Sequence, residues 1–298
     1  MKTEEFLKYL KLHRNYSDLT VQSYESDLRQ FEEFLFKDDN RPLERDDDSL
    51  ISVNAVRSWI MTMTENGITS RSINRKISAL KSYFKWVQQN DTEFKNPMLK
   101  IIPPKMSKRK LSALSKDDIT GLLSARPDGS DFDAFRNFLI TEILYATGIR
   151  QAELLAIEEK DISFENKQLR ILGKGNKERI IPIDSKLITD IIKYIDLKHR
   201  YNISESKLMV NKDGKPLSKY QLYALVHKLL ENINVSERSA HIFRHTCATH
   251  LVNEGADIVN VKNLLGHSSL KATEVYTHTT VEQLKKEYKR SFEQNFNN

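Results

Sequence analysis

The first hundred residues carry apolar positions at the 3.6-residue period of helices that bury one face. Residues 3–13 form a short amphipathic stretch, and Ser17 or Asp18 can cap a long helix running to about Phe36. The acidic, polar stretch 37–49 breaks the pattern and reads as a loop. Helix resumes over 53–66, stops at Gly67 and restarts after Thr69 or Ser70. That last helix separates into two faces. Ile73, Ile77, Leu80, Phe84 and Val87 fall on one side, and Arg71, Arg75, Ser78, Ser82 and Lys85 on the other. A stripe of cations and small hydroxyls suits a helix lying on a phosphate backbone, and equally a solvated face.

Pro97, Pro103 and Pro104 forbid continuous helix beyond that point, and Lys105, Lys108, Arg109 and Lys110 follow them. This predicts a basic linker at 101–112 between domains 1–100 and 113–298. Ser115 marks the next helix start, and 132–147 reads as a buried helix ending at Gly148. Over 161–184 the period changes from 3.6 to 2. Residues 161–164, 168–172 and 178–183 alternate like short strands, joined by Glu-Asn-Lys and Gly-Lys-Gly-Asn-Lys turns. Helices then return to the end of the chain, and Gly266 terminates one over 259–265. A last stretch, 281–296, carries Leu284, Tyr288, Phe292 and Phe296 one turn apart, suited to packing on its own core or on a neighbour. The fold class is mainly α: a helical bundle, then an α-rich domain holding a small antiparallel sheet.

With 298 residues the chain is long enough for two cores. Its net charge of +6 permits a polyanionic partner without requiring one. The charge is unevenly placed: residues 1–100 hold 16 basic and 16 acidic residues, and 101–298 hold 31 and 25. The single cysteine, Cys247, excludes an intrachain disulfide and a cysteine-based zinc site; it reads as a small apolar residue on a buried helix face. No signal peptide is visible. The most apolar run, 135–149, contains Arg136, Asn137 and Glu142 and is too short to span a bilayer. A cytoplasmic, membrane-free protein is expected.

The candidate chemistry concentrates in the second domain. Arg150 follows Gly148 just past a helix end, with Glu153 three residues on to orient it. His241, Arg244, His245 and Ala248 fall at i, i+3, i+4 and i+7, on one helix face. His267 follows Gly266, Tyr276 stands in Tyr-Thr-His, and Lys174 lies in the glycine-flanked turn with Lys177 nearby. Guanidinium forks bind phosphate oxygens bidentately, histidine moves protons near neutrality, and tyrosine can serve as a covalent nucleophile. The set suits attack on a phosphodiester without a metal. His241 and His245 at i, i+4 also have metal-ligand spacing, but the H-E-x-x-H glutamate and an obvious third ligand are missing. His245 and His250 read as structural. The Gly173–Lys177 turn lacks the phosphate-loop frame.

Taken in order, Ala-Thr-Gly-Ile-Arg-Gln-Ala-Glu at 146–153, Gly-Lys-Gly-Asn-Lys at 173–177, His-Ile-Phe-Arg-His-Thr-Cys-Ala-Thr-His at 241–250, Leu-Leu-Gly-His-Ser at 264–268 and the tyrosine segment resemble the tyrosine recombinases. The bacterial Xer type is the nearest match. The resemblance spans nearly the whole chain. It implies a SAM-like N-terminal domain that binds the DNA core site, and a catalytic domain acting through Arg150, Lys174, His241, Arg244, His267 and the nucleophile Tyr276. It implies no cofactor, metal or ATP. DNA contacts are expected from Arg71, Arg75, Lys85, Lys108 and Arg109. The implied assembly is a homo- or heterotetramer on two duplexes, with a second recombinase or a DNA translocase as further partners. The implied role is resolution of chromosome or plasmid dimers, with mobile-element integration by a compact relative as the alternative. Thr246-Cys247 departs from the serine and bulkier apolar residue commoner in relatives, a change that touches packing. Two other classes fit parts of the chain: a metal-dependent nuclease, which a chelator would silence, and an architectural DNA-binding protein, indifferent to loss of the Tyr276 hydroxyl.

Overall fold

The computed structural model describes residues 1–37, 51–105, 113–173, 178–235 and 237–266. The chain divides into two compact units, Met1–Lys108 and Arg109–Asn298. Among the described residues it forms eleven α-helices and one three-stranded sheet, and no helix is long and apolar enough to cross a membrane.

The first unit contains α1 (Thr3–Leu12), α2 (Asp18–Lys37), α3 (Val53–Glu65), α4 (Ser70–Asn90) and a short 3-10 turn, Pro97–Lys100. Ser52 and Thr69 supply the side-chain oxygens that cap α3 and α4, accepting from Ala55 N and Ser72 N. Gly67, at φ +71°, makes the break between them. Each predicted inward residue of α4, Ile73, Ile77, Leu80, Phe84 and Val87, is buried. They join Phe6, Leu10, Leu28, Phe31, Val56 and Trp59 in one core. The predicted 37–49 loop, beyond its first residue, lies outside the described residues.

The second unit is built around α6 (Phe132–Thr147). Thirteen of its sixteen residues are buried, so it is apolar nearly all round, as a central helix must be. Asp131 caps its start through Asp133 N and Ala134 N, and Gly148 ends it in the left-handed conformation at φ +58°. Packed against α6 are α5 (Lys116–Ser124), α8 (Ser185–Arg200) and α10 (Ala240–Asn253). The remaining helices are α7 (Gln151–Ala156), α9 (Lys219–Leu229) and α11 (Ile258–Leu265). At six residues, α7 is too short to show a period in the sequence.

The sheet is antiparallel in the order β1 (Ile162–Ser163), β2 (Gln168–Leu172), β3 (Glu178–Pro182). Leu169, Ile171, Arg179 and Ile181 face inward, with Ile171 opposite Arg179. The first strand is shorter than the sequence predicts. Asp161 turns back to accept the Glu158 backbone N–H at 3.0 Å and receives Arg170 at 2.8 Å, which holds 159–161 in a 3-10 turn. Between α8 and α9 the chain is irregular, not helical. Buried Lys198 fastens this stretch, donating to Glu159 and to the carbonyls of Glu205 and Lys207. The stretch 281–296 lies outside the described residues.

Candidate active site

Three consecutive carbonyls at the C-terminal end of α11 each accept a hydrogen bond from a different arginine. Arg179 Nε donates to Leu264 O at 3.0 Å, Arg244 Nη2 to Leu265 O at 2.7 Å, and Arg150 Nη2 to Gly266 O at 3.0 Å. The last carbonyls of a helix have no partner inside it and carry the negative end of its dipole. Three guanidiniums satisfy both demands and collect positive charge at one place.

A single carboxylate organises two of them, Arg150 and Arg179. Glu153 accepts from Arg150 Nη1 at 2.8 Å, from Arg179 Nη1 at 3.0 Å and Nη2 at 2.7 Å, and from the Arg150 backbone N–H at 2.8 Å. The last of these caps α7, where Arg150 is the N-cap residue. Burial of Glu153 works against its ionisation, but Arg179 and the Arg150 backbone and side chain prevail and hold its carboxyl at about 2. With Arg244 beside this pair, three guanidiniums stand against one carboxylate and leave an excess of positive charge, which an anion can match.

Arg244 donates Nη1 to Gly148 O at 2.8 Å and so ties α10 to the end of α6. Its burial and the field of Arg150 lower its guanidinium to about 10, which leaves it cationic at neutral pH. Two glycines make the close packing feasible. A Cβ on Gly148 would lie 2.4 Å from Leu265 Cδ2, and one on Gly266, at φ +67°, would lie 3.1 Å from Arg179 Nη1. Arg150 and Arg244 each spend two of five N–H donors on the contacts named; the others meet no described residue. Arg150 is also the most open of the three, its side chain 35% exposed against 6% for Arg179.

Arg150, Glu153 and Arg244 therefore come together. His241 is exposed on the first turn of α10, one turn before Arg244, and His245 is half-buried. His250 is structural. Its Nε2–H donates to Leu114 O at 3.0 Å, so its Nδ1 accepts from the Tyr145 hydroxyl at 3.0 Å. Cys247 is fully buried and its thiol is pushed up to about 12 by burial. Thr246 Oγ accepts the Leu114 N–H and donates to Ile242 O, so the unusual Thr-Cys pair serves packing. Lys174, Lys177, His267 and Tyr276 lie outside the described residues, as do Lys108 and Arg109.

On α4, Arg71 and Lys85 are exposed. Arg75 is exposed too, but its Nη1 is committed to Ser23 Oγ and to the buried carboxylate of Asp27, which also receives Lys76. Arg179 is the site residue that motif reading misses. Its signal is the strand period: Ile181 and Arg179 are two apart, and if one faces the core, so does the other.

The phage integrase family model matches residues 112–283, and the model of the phage integrase N-terminal SAM-like domain matches residues 3–90. The tyrosine recombinase XerC of Bacillus pumilus is 33% identical over 293 residues, which cover 95% of this chain and 93% of that protein. XerC of Staphylococcus aureus is 33% identical over 287 residues, covering 96% and 94%. Among solved structures, the XerH site-specific recombinase in its post-cleavage complex with palindromic difH substrate superposes with a TM-score of 0.68 at 23% identity, covering 97% of this chain and 84% of that one. The Tn1549 transposon integrase in complex with transposon right end DNA gives 0.70 at 18% identity, covering 95% and 98%. Both share the fold.

Proposed function

The chain belongs to the phage integrase family, the tyrosine recombinases, and from that premise we propose how its own groups carry out recombination. It is a site-specific recombinase that binds double-stranded DNA and cuts and rejoins its strands through a 3′-phosphotyrosyl intermediate. The observation that carries the assignment of roles is the pair of arginines held at the end of α11 with N–H donors that no described residue takes. Arg150 and Arg244 bind the non-bridging oxygens of the scissile phosphate, and Glu153 fixes the first of them. The Tyr276 oxygen attacks phosphorus as its proton passes to His241. The bond to the 5′-oxygen breaks, and Lys174 protonates that oxygen.

Tyrosine needs this assistance, since a phenol of pKa ~10 is only ~0.1% ionised at pH 7. His267 and the two arginines stabilise the five-coordinate phosphorus, where one such contact typically contributes about 3–4 kcal/mol. A 5′-hydroxyl from a partner strand then attacks the phosphotyrosine and releases Tyr276. The phosphodiester energy is conserved in that linkage, so no nucleotide is consumed. Exchange between two duplexes requires four protomers, each cutting one strand. Similarity to XerC over nearly the whole chain supports resolution of chromosome or plasmid dimers, with a second recombinase and a DNA translocase as candidate partners.

The test is a nicked suicide duplex carrying a core site, incubated in EDTA with wild type and Tyr276→Phe and resolved on a denaturing gel. A covalent band from wild type that the variant lacks is expected. Cleavage that appears only when metal is restored would overturn the tyrosine mechanism, and site binding without any adduct would favour an architectural role.

A further inference from the structure

Resting on the recombinase reading above, we propose that Arg179 is a positioning residue for strand cleavage: it locks Glu153 and the end of α11 into one frame and so sets the aim of Arg150. The segments that carry the family resemblance do not include this residue, and its geometry argues against touching the phosphate itself. All three of its nitrogens are engaged inside the protein, on Glu153 and Leu264, and its side chain is 6% exposed.

What Arg179 does hold is shared with Arg150. Glu153 Oε1 accepts from both Arg150 Nη1 and Arg179 Nη1, while Oε2 accepts from Arg179 Nη2 and the Arg150 backbone. The planar fork of Arg179 thereby fixes the rotation of the carboxylate about its own axis. With the fork removed, Glu153 keeps only Arg150 among the described residues, and the pair is free to turn together. The second point of control is α11. Arg179 takes the first of the three terminal carbonyls, while Arg244 and Arg150 take the next two. Loss of the first contact loosens the helix end on which the other two arginines rest.

The approach is close at Gly266: its φ of +67° favours glycine, and a Cβ there would lie 3.1 Å from Arg179 Nη1, so that the guanidinium would have to give by a few tenths of an ångström. Arg179 is itself anchored on a paired strand, opposite Ile171, and not on a loop. A strand gives the frame a rigid base, and β3 is also the strand that follows Lys174 in sequence. Lysine is a poor substitute: an ammonium reaches one oxygen well but cannot span both carboxylate oxygens and a carbonyl in one plane.

The experiment measures first-turnover adduct formation on the suicide duplex for wild type, Arg179→Lys and Arg179→Met, with DNA affinity and the final yield of adduct recorded alongside. Affinity is expected to stay within about threefold, because the DNA-facing donors remain. The Met variant should cleave on the order of 100-fold more slowly, the scale of a small misplacement of a reacting group. The Lys variant should cleave roughly tenfold more slowly at an unchanged final yield, since charge is kept and geometry is not. If the Met variant does not fold, the Lys variant alone decides.

A duplex with a neutral methylphosphonate at the scissile position adds a readout that a merely structural defect would not move. With less charge on the phosphate, aim matters less, and the gap between wild type and Arg179→Lys should close to within about threefold. The inference is overturned by a Lys variant that cleaves at the wild-type rate, by a loss confined to the final yield, or by a gap that persists on the neutral phosphate. Failure of wild type to form any adduct would instead overturn the functional reading on which the inference rests.

Discussion

Glu142 and Glu153 are both buried, at 7% and 6% exposure, and burial drives each carboxyl toward its neutral form. What differs is the company. Glu153 faces two guanidiniums and a backbone N–H and ionises at about 2, so the stability it adds is present above an unfolded value near 4.5 and fades as the pH falls toward 2. Glu142, on α6, is raised to about 7 by burial; Lys186 and Arg126 oppose the rise, Asp184 adds to it, and Oε2 has no hydrogen-bond partner among the described residues. Its sign is the reverse. The penalty is absent below about 4.5, grows between there and 7, and is complete above, where it amounts to roughly 3 kcal/mol at 1.36 kcal/mol per pKa unit. Glu142→Gln should therefore raise the melting temperature at pH 8 and lose that advantage by pH 4. Melting curves across this range check it; a difference that does not vary with pH would show that the charge is not the cause. The interrupted apolar run at 135–149 already displays Glu142 as a misfit in a buried helix, but its partners become visible only once α8 is folded against α6.

At the scale of elements, the site is a junction of ends: the C-terminus of α6, the N-terminus of α7 and the C-terminus of α11. Gly148 is the narrowest point, with a left-handed φ of +58° and no room for a methyl group beside Leu265. Gly148→Ala should cost about 2–4 kcal/mol, combining the left-handed penalty with overpacking. Because Gly148 O is the Arg244 acceptor, cleavage should fall by more than the folded fraction does. Chemical denaturation read beside adduct formation checks both parts. The same elements show where sequence is informative. α6 and β2 match their predicted bounds because a long apolar run closed by glycine and a clean alternation are local signals. β1 is shorter because a side chain, Asp161, competes for the backbone, and 201–218 is irregular because a lysine from α8 satisfies its carbonyls. Neither a side-chain acceptor such as Asp161 nor a donor such as Lys198 leaves a period behind. Arg150, Glu153 and Arg244 were legible as motif residues, whereas Arg179 needed the inward face of β3 to be taken at its word.

For the whole molecule, each unit has its own core: Phe6 through Ile101 in the first, Leu114 through Leu265 in the second. The positive excess falls entirely in residues 101–298. We propose that 101–112 is a basic linker joining two DNA-contacting domains, so that affinity arises by tethering two modest interactions. On this proposal the exposed Arg71 and Lys85 of α4 are the phosphate contacts of the first domain, while Arg75 is partly spent on Asp27. A fragment of residues 101–298 should then unfold in a single cooperative transition, since its described core, Leu114 through Leu265, is built from its own residues. It should bind a core-site duplex at least ~100-fold more weakly than the full chain, because the second contact no longer benefits from effective concentration. The slope of log affinity against log salt should also be shallower, by about 0.9 for each phosphate contact removed. Gel-shift titrations at three salt concentrations measure both quantities. Equal affinity and equal slope would mean that the N-terminal unit, with its cationic α4 stripe, does not touch DNA and that the stripe is only a solvated face.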